Sequence, residues 1–200
     1  MFSFMLQCRR EVIKMATIRN FQEKDREAVR EICIKTAPEA AVKTENGRNY
    51  ILTMYCDYYI DCCPEYCFVA ADEKDEAVGY ILCAPNYEAY KKDFKKYIKK
   101  IFSFSFYRGV AAFFESKISG RFLPDYPAHM HIDILDGYQR MGIGTQLVDA
   151  LRKKLKNEKI TGVMLVVGSD NKKGCSFYNK YGFKQLRNLG EGIAMGIKTD

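Results

Sequence analysis

The chain turns on one stretch, His129-Met130-His131-Ile132-Asp133-Ile134-Leu135-Asp136-Gly137-Tyr138-Gln139-Arg140-Met141-Gly142-Ile143-Gly144. Ile132, Ile134 and Leu135 give its first half the apolar, β-branched character of a buried strand. Asp136-Gly137 is a turn signal. Beyond Gly144, Leu147, Val148, Leu151 and Leu155 recur at helical spacing, with Thr145, Asp149, Arg152, Lys153 and Lys156 on the other face. Gly142 and Gly144 therefore sit where a loop becomes the first turn of a helix. The first amides of a helix have no partner within it, and the helix dipole is positive there. Glycines remove the β-carbon that would hold an anion away, so the pattern reads as a pyrophosphate cradle. The Gly-Lys-Ser/Thr ending of a phosphate P-loop is absent, and Leu147 stands where a dinucleotide fingerprint needs its third glycine. Taken alone, Gly-x-Gly reads equally well as a structural turn.

The longer pattern carries more. Gln139-Arg140-Met141-Gly142-Ile143-Gly144 resembles the Q/R-x-x-G-x-G/A acyl-CoA signature of the GCN5-related N-acetyltransferases (GNAT). Asn171-x-x-Gly174-x-x-x-Tyr178-x-x-x-Gly182-Phe183 resembles that family's second motif, in which an Asn opens a helix beside the CoA arm and a Tyr on it faces the sulfur. A strand-like Ile160 to Val167 lies between the two motifs. The resemblance implies an α/β (α+β) fold. It would be a single domain with a mixed sheet of about six or seven strands flanked by helices. A narrower likeness, to the acetyltransferase-like branch related to the C-terminal domain of O-GlcNAcase, rests on Tyr126-Pro127-Ala128-His129-Met130-His131-Ile132-Asp133, the first helix with Ile32-Cys33, and the insert described below.

Length and composition agree with one soluble domain that has a sizeable core. A net charge of +7 favours an anionic ligand such as CoA or an acidic partner without indicating nucleic acid, which is not expected as a partner. No apolar run is long enough to cross a bilayer, so no membrane partner is expected and the chain is read as cytoplasmic. A homodimer is left open. The cysteine cluster Cys62-Cys63-x-x-x-Cys67 lacks a second half and both histidines lie far off in sequence, so these are read as thiols in a reducing compartment and no metal is expected.

In chain order, residues 1–14 read as a leader of uncertain status before a domain at 15–200. The leader's apolar Phe2, Phe4, Met5 and Leu6 precede its basic residues, the reverse of a secretory signal. Thr17 to Phe21 reads as a strand. Asp25 reads as the N-cap of a helix ending at Thr36-Ala37-Pro38, with Ala28, Val29, Ile32 and Cys33 on one face. Val42 to Gly47 reads as a loop. Arg48 to Asp61 reads as a helix whose tyrosines, Tyr55, Tyr58 and Tyr59, suit core packing before a substrate pocket. Tyr66 to Ala71 and Ala77 to Ala84 read as a hairpin, and Phe183 to Leu189 and Ile193 to Lys198 as the last two strands. Between the third and fourth strands, about 86–127 reads as a helical insert, within which Ser103 to Pro127 reads as short helical pieces over the core and a candidate lid. The insert's lysines 91, 92, 95, 96, 99 and 100 read first as a solvated face.

Acetyl transfer to an amine needs a held thioester, a deprotonated amine, a stabilised oxyanion and a proton for the thiolate. The resemblance gives the holding to backbone amides of Arg140, Met141, Gly142, Ile143, Gly144 and Thr145, with Gln139 shaping the loop and Asn171 beside the CoA arm. An amide near Ile134 and Leu135 would serve the oxyanion. Tyr178 is the expected general acid, since an ordinary phenol is protonated at neutral pH. His129, His131 and Asp133 alternate along the strand and share one face, so Asp133 and then His131 are the candidate bases, against the alternative of a hydrogen-bonded core network. The implied activity is acetyl-CoA-dependent N-acetylation of a primary amine by direct attack in a ternary complex. Acceptor recognition would fall to Thr36–Asp61 and Tyr87–Pro127. The competing reading is a non-catalytic module of the same fold that binds CoA or a protein. An RNA-associated protein is a weaker third.

Overall fold

The computed structural model describes residues 16–199. The expectation for residues 1–14 lies outside them. Seven strands form one mixed sheet in the order β1-β2-β3-β4-β5-β7-β6. They are β1 (Thr17–Asn20), β2 (Phe68–Ala71), β3 (Ala77–Ala84), β4 (Ala128–Ile134), β5 (Gly162–Gly168), β6 (Lys184–Asn188) and β7 (Gly192–Lys198). Every pairing is antiparallel except that of β4 with β5. The expected α/β domain with a helical insert between its third and fourth strands is what the chain forms.

Helices cover both faces. On one, α8 (Ile143–Asn157) and α9 (Lys172–Tyr181) bury Leu147, Val148, Leu151, Leu155 and Tyr178 against Ile81, Cys83, Met130, Val163 and Leu165. The opposite face carries α1 (Arg26–Thr36), α2 (Glu39–Val42), α3 (Glu45–Leu52), α4 (Tyr58–Cys62) and the insert helices α5 (Tyr87–Asp93), α6 (Lys95–Phe104) and α7 (Phe106–Glu115). Its core is aromatic: Tyr58 meets Tyr59, Tyr90, Phe94 and Tyr97 edge-on, with centroids 4.9–5.5 Å apart. Such edge-to-face pairs set the positive ring edge on the negative ring face. The tyrosines at 55, 58 and 59 pack as expected, and two of them also reach a strand that matters for chemistry.

Three local expectations change. Asp25 occupies the N-cap position of α1 but does not cap it. Its buried carboxylate accepts two hydrogen bonds from the Arg19 guanidinium, at 2.6 and 2.8 Å, and one from the Gln22 amide at 2.9 Å. A two-point charged partner outbids a single helix amide. Val42 to Gly47 is not a loop. Thr44 caps α3, its hydroxyl accepting from the Gly47 amide at 3.0 Å, the same i to i+3 pattern that Asn86 and Asn171 make. The third change is a π-helical turn over Thr53–Asp57, inside what hydrophobic spacing reads as one continuous helix. A π-turn shifts the register of everything after it by one residue in the turn.

Candidate active site

β4 stays with β3 along its whole length, from Ala84↔His129 to Gly79↔Ile134. It pairs with β5 only at Ala128↔Val163 and His129↔Met164. β5 meanwhile keeps β7 as a partner over all seven of its residues. The sheet therefore opens between β4 and β5 from Met130 onward. The Leu135 amide donates to Val78 O at 3.0 Å, on the β3 side. By the alternation of an antiparallel ladder, the amides of Met130, Ile132 and Ile134 face the opening. The Ile134 amide, expected near an oxyanion, is one of these. The Leu135 amide is held by β3 and its carbonyl accepts from the Tyr138 amide at 2.8 Å.

The loop after β4 is shaped by its own side chains. Gln139 Nε2 donates to Ile134 O and to Asp136 Oδ1, both at 3.0 Å. Arg140 adopts φ +63°, the left-handed region that costs a non-glycine residue free energy, and Gly142 follows at φ +80°. Among the described residues the amides of Arg140, Met141 and Gly142 make no hydrogen bond. Ile143 is buried and anchors the first turn of α8, whereas Met141 and Thr145 are exposed. Gly144 has a packing reason to be glycine: a β-carbon there would stand 3.1 Å from the Phe177 ring of α9. The missing carbon lets the Phe177 ring of α9 sit close over the first turn of α8. Asn171 caps α9, its Oδ1 accepting from the Gly174 amide at 2.9 Å. That leaves its amide nitrogen for another partner.

Tyr178 reaches the opening from α9. It is buried, and its hydroxyl makes no hydrogen bond among the described residues. Burial first, then the charge of Asp133, raises its pKa above the usual phenol value, so it holds its proton at neutral pH. Asp133 lies across from it on β4. Its Oδ2 accepts from the Tyr80 hydroxyl at 2.6 Å. Burial pushes the Asp133 carboxyl up to about 6, with the Tyr80 hydrogen bond pulling the other way. Near pH 7 it is ionised but poised to take a proton.

The histidines behave differently. Burial lowers His131 to about 4, and it shares a 2.9 Å hydrogen bond between Nε2 and the Tyr59 hydroxyl. Its ring also meets Tyr55 edge-on at 5.2 Å. Burial, then His131, lowers His129 to about 3, and neither of its ring nitrogens has a hydrogen-bond partner among the described residues. Both imidazoles are neutral at pH 7, and imidazolium this acidic makes a weak base of its conjugate. The expected shared face of His129, His131 and Asp133 is present, but the environment separates their roles.

Sequence reasoning misses the groups around this stripe. Tyr80 meets Asp133 only through the β3–β4 register, which the long insert hides. Glu115, at the end of α7, accepts from the Tyr50 hydroxyl at 3.0 Å and from the Tyr55 hydroxyl, so the insert closes the tyrosine wall facing β4. Among the described residues no group of three or more His, Cys, Asp or Glu could hold a metal ion. Burial raises the Cys63 thiol to about 12 and the Cys67 thiol as well, which keeps both protonated.

A family model described as the Acetyltransferase (GNAT) family matches residues 27–183. Solved structures share the fold. The structure titled SsHAT superposes with a TM-score of 0.81 at 24% identity, covering 93% of this chain and 99% of that one. The PaiA N-acetyltransferase from Thermoplasma acidophilum, in complex with coenzyme A, gives 0.58 at 17% identity, with 92% and 98% covered. The ribosomal-protein-S18-alanine N-acetyltransferase from Escherichia coli gives 0.55 at 14% identity, with 93% and 95% covered.

Proposed function

The chain belongs to the GNAT acetyltransferase family, and from that premise we propose that it transfers the acetyl group of acetyl-CoA to a primary amine by direct attack. The observation that carries the reading is the opening between β4 and β5, with the Arg140–Gly142 amides at its mouth and Tyr178 and Asp133 on its two sides. The cosubstrate's pyrophosphate would lie on the loop amides and the start of α8. The coenzyme A bound to the PaiA N-acetyltransferase is consistent with this choice of cosubstrate.

In this reading Asp133 removes the ammonium proton, directly or through a water, and the free amine attacks the thioester carbon. Negative charge develops on the carbonyl oxygen beside the Ile134 amide. Collapse breaks the carbon–sulfur bond, the thiolate takes its proton from Tyr178, and the second proton of the attacking nitrogen passes through solvent to restore the Tyr178 phenol, so that one proton is released overall through Asp133. Tyr80 positions the Asp133 carboxylate, and His131 with Tyr59 forms the wall against which an acceptor lies.

Titration calorimetry with acetyl-CoA tests the cosubstrate. Thr145→Glu places a negative charge at the first turn of α8, where it stabilises the helix and repels a pyrophosphate. Micromolar binding that this variant weakens by at least about tenfold supports the reading. A stably folded chain that binds no acetyl-CoA refutes it.

A further inference from the structure

α7 is an inverted amphipathic helix. Its buried positions are Gly109 and Ala112, while Phe106 is 77%, Tyr107 84%, Phe113 43% and Phe114 64% exposed. With Val110, these occupy i, i+1, i+4, i+7 and i+8, one face of a helix. Phe102 on α6 extends the stripe: its ring lies 5.6 Å from Phe106. A β-carbon on Gly109 would stand 2.4 Å from that same ring, so the glycine lets α7 settle against α6 with its aromatics turned outward. Six of the nine exposed large apolar residues among the described ones lie on this hairpin. Isolated exposed apolar residues are ordinary, but a contiguous stripe of this kind marks an interaction surface.

Charge selects the occupant. Residues 86–127 hold nine Lys and Arg against four Asp and Glu, which accounts for most of the chain's net charge of +7. Lys95 and Lys99 share a helix face with Phe102 at i, i+4 and i+7 spacing. Lys92, Lys95, Lys96 and Lys99 border one shallow depression whose single carboxylate is Asp93, so it stays strongly positive. Beyond α7, the Lys117 ammonium sits 3.6 Å from the centroid of the Phe113 ring. A second copy of the chain would set these positive charges against their like. A surface that is anionic outside and apolar beneath matches both halves.

We infer that the α6–α7 hairpin is a docking face for an anionic lipid bilayer. Phe106, Tyr107, Phe113 and Phe114 enter the boundary between headgroups and acyl chains, and the lysines meet lipid phosphates and carboxylates. No helix among the described residues is long and apolar enough to cross a bilayer, and docking on its surface requires no such span. Because Glu115 closes α7 and holds Tyr50 and Tyr55, docking would place the acceptor wall close to the lipid surface.

Co-sedimentation of the full chain with vesicles tests this. One set is phosphatidylcholine alone and the other contains phosphatidylserine. The expected result is pelleting with the anionic set only, weakened by added salt. Phe106→Ser/Phe114→Ser and, separately, Lys95→Glu/Lys99→Glu should each lower the bound fraction by at least about tenfold, with melting and acetyl-CoA titration unchanged. Wild-type protein that stays in the supernatant with both sets overturns the inference. A concentration-dependent dimer abolished by the aromatic pair would then assign the stripe to a second copy. Retained vesicle binding in both double variants overturns it as well.

Discussion

The two faces of the sheet are covered on different principles. On the α8–α9 face two helices turn aliphatic stripes inward, and Leu147, Leu151 and Leu155 are fully enclosed. Its polar work is confined to helix ends and one loop. On the other face, seven helical segments bring tyrosines, histidines and carboxylates into the interior, and the ionisable groups there are displaced from their ordinary ranges. α7 departs furthest, since it gives its small residues to the core and its aromatics to the outside. The proposed reaction uses the junction of the two: Tyr178 packs with the aliphatic cluster, Asp133 bonds Tyr80 on the aromatic side, and β4 leaves β5 beyond His129.

The contrast predicts a ranking. Leu151→Ala in α8 should lose about 2–5 kcal/mol of stability by denaturant unfolding, the cost of a core cavity. A loss below 1 kcal/mol would mean that this face is not the rigid one. Tyr178→Phe should lower turnover by roughly 10- to 1000-fold while acetyl-CoA still binds in calorimetry, because the hydroxyl and not the ring protonates the thiolate. Unchanged turnover would remove the residue from the reaction.

Asp133→Asn separates the two faces by pH. With a folded pKa of about 6 against about 4 in the unfolded chain, the native state binds the extra proton between those values. Stability is therefore lost as pH rises from about 4 to about 6, and the amide variant escapes that loss. It should be more stable than wild type at pH 8 by up to about 2 kcal/mol, and its kcat/KM profile should lose the ascending limb near pH 6. A limb that persists would transfer the base role away from Asp133.

His129→Leu addresses the same interior with the opposite sign. Both histidines have depressed pKa values, so their stability contribution is full above about pH 6.5 and falls as acid is added. Removing one at a site with no hydrogen-bond partner should leave stability at pH 7 nearly unchanged and improve it at pH 5. The smallest effect belongs to Phe114→Ser on α7, within about 0.5 kcal/mol of wild type in thermal unfolding, since that ring is already exposed. A larger loss would show that the stripe packs within the molecule.

Much of the fold and part of the site can be read from local pattern. Short continuous apolar runs mark β3 and β5, helical spacing marks α8, and Asn86 and Asn171 stand immediately before the helices they cap. The same cap signal stands at Thr44 but is masked by polar neighbours. Gly142 and Gln139 fall in the loop before α8 and Tyr178 on α9, elements that each motif marks because it covers one loop or one helix. Tyr80, Tyr59 and Glu115 carry no such mark, since each acquires its partner across 53 to 72 residues of chain.

The sequence by itself gives the strands and most helices through periodicity and cap residues, and the two motifs that resemble the GNAT family place the Gln139–Gly144 loop at the start of α8. Only the tertiary structure decided which way a helix faces and how readily each buried acid or base holds a proton. The stripe of α7 has the same spacing as that of α8, and no local signal tells inward from outward. What turns it outward is the Phe102 ring seated on Gly109 and a core already filled by Tyr58, Tyr90 and Phe94. Likewise Asp133 and His131 differ as bases through burial and hydrogen-bond partners, which exist only once distant segments have packed.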